Sequence, residues 1–139
     1  MVTTACQHDH RFFSGGRDSA RRAYWPSILA ALNHDDTNRI STANLLEIWM
    51  VIDRKGTKRT HELFAQFMSM VAMVIEPVTL EQVEIARDAW DCYGKGSGHP
   101  AQLNFGDCFA YALAKQSGDP LLFVGNDFIH TDVPSAIPR

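Results

Sequence analysis

Three acids in this chain stand where a charge needs a reason. Asp107 is the one charged residue between Leu103 and Ala114, and the stretch from Cys108 to Ala114 reads as a helix buried on most sides. Glu47 is the one charge between Thr42 and Asp53, among Leu45, Leu46, Ile48 and Trp49. Burying a lone carboxylate is costly, so Glu47 must be protonated, paired, exposed at a cleft or bound to a cation. Asp127 follows the apolar run Leu121 to Val124, at the carboxyl end of a predicted strand, where open α/β sheets hold their ligands. Carboxylates gathered from separate elements can hold a hard divalent cation. Plainer roles stay open: Asn104 can cap a helix with Asp107 three residues on, and Asp127 can be a turn residue.

The elements that must deliver these acids follow from the pattern around them. An amphipathic helix is predicted over Tyr24 to Leu32, with Pro26 in its first turn. Asn38 to Ile40 reads as a short strand, and Ser41 or Thr42 caps a helix from Ala43 to about Arg54 that ends at Gly56. Just beyond lie Arg54, Lys55, Lys58 and Arg59, a local cluster suited to phosphates or to solvent. The next helix, His61 to Met70, turns Leu63, Phe64, Phe67 and Met68 inward, and Val71 to Ile75 forms a buried strand. Thr79 to Gln82 is a capping box opening a helix that runs to Tyr93. The loop Gly94 to Pro100 lacks the glycine spacing of a nucleotide cradle, which argues against a nucleotide site. From Thr131 onward the chain reads as irregular.

Residues 1–23 show no periodicity and read as a disordered, atypical segment ahead of a domain spanning 24–139. His8-Asp9-His10 cannot enclose a metal unaided. With 139 residues the chain is long enough to bury a core without staples, and 45% hydrophobic and 21% charged content is ordinary for a globular domain. Acids interrupt every apolar run before it reaches membrane-spanning length, and the N-terminus lacks a secretory pattern, so a cytoplasmic protein without membrane contact is expected. Cys6, Cys92 and Cys108 have neither disulfide nor zinc-ribbon spacing. A net charge of -3 provides no global attraction to nucleic acid, so such binding must be local.

Three stretches together resemble the PIN-domain ribonuclease toxins of the VapC type: Arg39-Ile-Ser-Thr-Ala-Asn-Leu-Leu-Glu47, Leu103-Asn-Phe-Gly-Asp107-Cys-Phe-Ala-Tyr-Ala-Leu-Ala-Lys115, and Pro120-Leu-Leu-Phe-Val-Gly-Asn-Asp127-Phe-Ile-His-Thr-Asp132. The likeness covers about residues 36–135. It implies an α/β fold, a three-layer α/β/α sandwich on a short parallel sheet, and a metal-dependent endoribonuclease using Mg²⁺ or Mn²⁺. It also implies an RNA substrate, a small VapB-like antitoxin partner and a homodimer. Glu47, Asp107 and Asp127 match the family's second, third and fourth acidic positions, so they become the expected catalytic and metal-binding residues. One departure stands out: where the family opens with a buried strand ending in its first Asp, this chain has Met1-Val2-Thr3-Thr4-Ala5-Cys6, with Thr4 in the acid's place. The first strand is therefore expected to be missing or altered and activity impaired. The alternative function is a catalytically inactive module that only captures an antitoxin.

Overall fold

Four short parallel strands organise the computed structural model, which describes residues 2–4, 19–32 and 37–137. In chain order the elements are β1 (Val2–Thr4), α1 (Ser19–Leu32), β2 (Asn38–Ser41), α2 (Thr42–Lys55), α3 (Lys58–Met70), β3 (Met73–Glu76), α4 (Leu80–Tyr93), α5 (Phe105–Ser117) and β4 (Leu121–Leu122). A 3-10 turn follows at Asp127–His130. The sheet order is β3-β2-β1-β4 and every pairing is parallel.

Side chains alternate across a strand, and here the alternation separates two cores. Leu121 and Phe123 enter a cluster with Ala86 and Ala89 of α4 and Ala110 and Ala114 of α5. Leu122 and Val124 enter another with Ile28 and Leu32 of α1, Val71 and Ile137. Ile40 of β2 packs on Ile48, Ile52 and Phe64 from α2 and α3. Apolar layers thus cover both faces of the sheet, as a parallel sheet requires. Among the described residues no helix is long and apolar enough to cross a membrane.

Several sequence expectations need correction. The first strand is not missing: β1 pairs with β2 on one side and β4 on the other, at the centre of the sheet. A ladder is made by backbone groups, and the β-branched run Val2-Thr3-Thr4 suits it without further apolar length. The first helix begins at Ser19, ahead of the expected Tyr24, placing Pro26 inside the helix rather than in its first turn. Residues 5–18, which include His8, Asp9, His10 and Asp18, lie outside the described residues. Leu63 is exposed, and so are Val74 and Ile75, because β3 is an edge strand with β2 alone beside it. The C-terminal stretch is tied down rather than irregular throughout: Leu121 donates to the Pro134 carbonyl at 2.8 Å and accepts from the Ala136 N–H at 2.9 Å. Val133 and Ile137 are buried beside it.

Candidate metal centre

The carboxyl end of β2 hands the chain directly to α2. Ser41, fully buried, caps the helix by accepting from the Ala43 N–H at 3.2 Å. Asn44 and Glu47, three residues apart, therefore share one face of α2. That face meets the first turn of α5. Asn44 is fully buried and its Nδ2 donates to the Gly106 carbonyl at 2.9 Å. One turn on, the Glu47 carboxylate lies in the space a side chain at position 106 would need: a Cβ there would sit 2.2 Å from Glu47 Oε2 and 2.8 Å from Oε1. Glycine is what lets the two helices bring these groups together.

The next residue is Asp107. The capping box read from the sequence is formed, with the Asp107 N–H donating to Asn104 Oδ1 at 3.0 Å and the Asn104 N–H to Asp107 Oδ2 at 2.9 Å. Asp107 is only 1% exposed, yet its second oxygen, Oδ1, has no hydrogen-bond partner among the described residues, and neither has Asn44 Oδ1. Burial pushes the Asp107 carboxyl up to about 6; the Asn104 N–H opposes that, the charges of Asp127 and Glu47 reinforce it, and Lys95 opposes it more weakly.

All three acids picked out from sequence therefore act on one locality. Glu47 arrives from α2, Asp107 from the first turn of α5, and Asp127, half-buried, from the 3-10 turn beyond β4. Among the described residues no three Asp, Glu, His or Cys side chains stand close enough to enclose an ion on their own. The donor set nonetheless suits a small hard cation, which takes one or two carboxylates and keeps several waters. A buried carboxylate oxygen and a buried amide oxygen, both without partners among the described residues, are the groups such an ion would satisfy.

Other candidates separate cleanly. The neighbouring Cys108 thiol is pushed up to about 11 by burial and then by Asp107, so it stays protonated and inert. Arg54 stands seven residues beyond Glu47 on α2, about 10 Å along the axis, and the cation whose charge is felt at Asp107 is Lys95. Arg39 is held by Glu76 and by Asp119, the latter at 3.4 Å. Sequence reading missed Asn44 and Gly106. A lone amide three residues before Glu47 in an apolar helix was the available signal for the first, and a glycine beside an acid at a helix start the signal for the second.

The PIN domain profile matches residues 12–134. This chain belongs to the PIN-domain family. Within that family it is 44% identical over 109 residues to Ribonuclease VapC28 of Mycobacterium tuberculosis, covering 78% of this chain and 82% of the relative. The VapC ribonuclease Mb0625 of Mycobacterium bovis matches to the same extent. Ribonuclease VapC42 of M. tuberculosis is 39% identical over 106 residues, 76% of this chain and 81% of the relative. The chain is thus a PIN-domain protein of the VapC type, and the resemblance carried by the Glu47, Asp107 and Asp127 stretches is borne out at the level of family.

Proposed function

We propose that this PIN-domain protein is the toxin of a toxin-antitoxin pair, an endoribonuclease that hydrolyses RNA phosphodiester bonds with Mg²⁺ or Mn²⁺ bound at the locality of Glu47, Asp107 and Asp127, with waters completing its shell. The observation that carries this reading is the buried Asp107 carboxylate: one oxygen is engaged by the Asn104 amide, while the other, without a partner among the described residues, belongs to the first turn against which Glu47 is packed. Buried carboxylate oxygens are ordinarily hydrogen-bonded, so Oδ1 is where a cation would be taken up. A bound divalent cation supplies the site with Lewis acidity, acidifying a water and neutralising charge on the phosphate.

The protein's own groups do the rest. The Asn104 N–H fixes the Asp107 carboxylate, and the Asn44 amide clamps α2 to the Gly106 carbonyl, which keeps Glu47 against that turn. The amino end of α5 adds partial positive charge toward a phosphate. Thr4, the last residue of β1 and paired with Leu122, brings no carboxylate to the carboxyl end of the sheet, so the ion rests on fewer charges and activity is correspondingly low.

The partners that fit this reading are RNA, a VapB-like antitoxin and a second copy of the chain, all in the cytoplasm. Exposed apolar side chains support two protein contacts: Leu46, Met50, Leu63 and Met70 on α2 and α3, and Leu80, Val83 and Trp90 on α4. Cleavage of RNA that requires Mg²⁺ or Mn²⁺, stops with chelator and disappears in Asp107→Asn and Glu47→Gln is the expected result. Metal-independent cleavage, or cleavage that survives both substitutions, overturns the assignment.

A further inference from the structure

The loop between α4 and α5 is anchored at its root beside the acids. The Leu103 N–H donates to the Tyr93 carbonyl at 2.8 Å, and the Lys95 N–H donates to the Leu103 carbonyl at 3.0 Å. The peptide group that accepts from Lys95 is the one whose other end, the Asn104 N–H, holds Asp107 Oδ2 at 2.9 Å. Those two hydrogen bonds and the C=O and C–N bonds between them limit the Lys95 nitrogen to at most about 8.5 Å from the Asp107 carboxylate. Its backbone is held firmly. Leu103 and Ala101 are fully buried, and the His99 ring packs edge-on against Tyr93 at 4.9 Å.

The side chain has a different status. Lys95 is exposed and, among the described residues, forms no ion pair, although its charge is felt at Asp107. A lysine present only to neutralise Asp107 would contact it. Gly96 and Gly98, just beyond Lys95, both take the left-handed region with open space where a Cβ would be. The result is a cation on a flexible four-carbon stem, fixed at its base within reach of the carboxylates.

We propose that Lys95 is a substrate-binding residue whose ammonium contacts a non-bridging phosphate oxygen of the RNA backbone at the acid cluster. This rests on the nuclease reading above and deepens it. An acidic cleft repels a polyanion, and a lysine at its rim supplies local attraction that the net charge of the chain does not.

The test uses the full chain and mixed-sequence, labelled single-stranded RNA. Lys95→Gln is expected to lower kcat/KM about 10- to 100-fold, the loss of one charge-assisted hydrogen bond, while Lys95→Arg stays within about threefold of wild type. Binding is measured separately in the Asp107→Asn background without added metal, where Lys95→Gln flattens the dependence of log affinity on log salt by about 0.7. If wild type cleaves and Asp107→Asn does not, yet Lys95→Gln matches wild type in kcat/KM and in salt slope, the Lys95 contact is overturned and the nuclease reading stands. An arginine variant as poor as the glutamine variant also overturns it, since charge would then not be what matters. If Asp107→Asn still cleaves, the nuclease reading falls, and an unchanged binding slope in Lys95→Gln removes the phosphate contact with it.

Discussion

Asp107→Asn is expected to make the protein more stable while ending its cleavage. The carboxyl is 1% exposed and titrates at about 6 against an ordinary 3.8, so at pH 7.5 the fold holds a charge it disfavours. A shift of roughly two units corresponds to about 3 kcal/mol. The sign follows from proton counting: between about pH 4 and 6 the folded state binds more protons than the unfolded chain, so stability falls as pH rises through that window and levels off above it. Asparagine keeps an oxygen for the Asn104 N–H, preserving the cap, and turns an amide N–H₂ toward the locality of Glu47 and Asp127. Allowing for imperfect fit, the gain is about 1–3 kcal/mol, or roughly 4–12 °C in Tm for a domain of this size. The assay is thermal melting of chelator-treated protein at pH 5, 6, 7 and 8, wild type beside variant. The gap between them should open from pH 5 to pH 7 and then hold, and added Mg²⁺ should narrow it by stabilising wild type alone. A variant that melts at or below wild type at pH 7.5, or a gap that does not change with pH, refutes the reasoning.

Gly106→Ala places a methyl against the Glu47 carboxylate, the end of a flexible side chain. Melting should change by no more than about 1 kcal/mol, because alanine also favours the helix, whereas cleavage falls by about 100-fold through misplacement of Glu47. Asn44→Ala removes the side-chain donor to the Gly106 carbonyl, which keeps its helical bond, and should cost about 0.5–1.5 kcal/mol in denaturant unfolding, together with weaker metal binding by calorimetry. Thr4→Asp restores an acid at the end of the central strand and should tighten Mg²⁺ binding by about tenfold and raise cleavage with it; unchanged affinity would refute a role for that position. Tyr111→Phe removes the 2.7 Å bond to Asp132, whose carboxyl is held below its usual range by Lys115 and then by Tyr111. Asp132 is more than half exposed, so the cost should not exceed about 1 kcal/mol, present at neutral pH and fading as acid protonates Asp132, as paired melts at pH 7 and pH 3 would show.

What could be read from sequence was whatever local chemistry dictates. The Asn104–Asp107 capping box, the Ser41 cap and the Gly56 helix end depend on residues a few positions apart, and all formed in place. Strand burial was less legible, because the apolar run Val71 to Ile75 looks the same whether one neighbour flanks it or two; only the sheet order makes β3 an edge and exposes Val74 and Ile75. β1 was misjudged for a related reason. Three residues carry too little pattern to announce a strand, and its place in the sheet is decided by β2 and β4 on either side. Asn44 and Gly106 carry only faint local signals, because their roles lie in a contact between helices sixty-two residues apart in sequence.

The contest that the sequence posed at Asp107, helix cap or metal ligand, has a different form in three dimensions. A carboxylate has two oxygens, and the cap uses one. Oδ2 takes the Asn104 N–H, which orients the group and leaves Oδ1 buried without a partner among the described residues, in a turn that also receives Glu47. Capping is then how α5 holds the acid still, and on the proposed reading the remaining oxygen is the one a cation would take, which offsets the cost of burying a half-satisfied charge. The consequence is an order of sensitivity. Substituting Asn104 with alanine removes the acceptor of the Asp107 N–H and should lower helix stability, yet the backbone N–H at position 104 still holds Oδ2, so metal affinity should fall less than stability does; Asn104→Asp or Asn104→Ser, which keep an acceptor, should retain the stability as well.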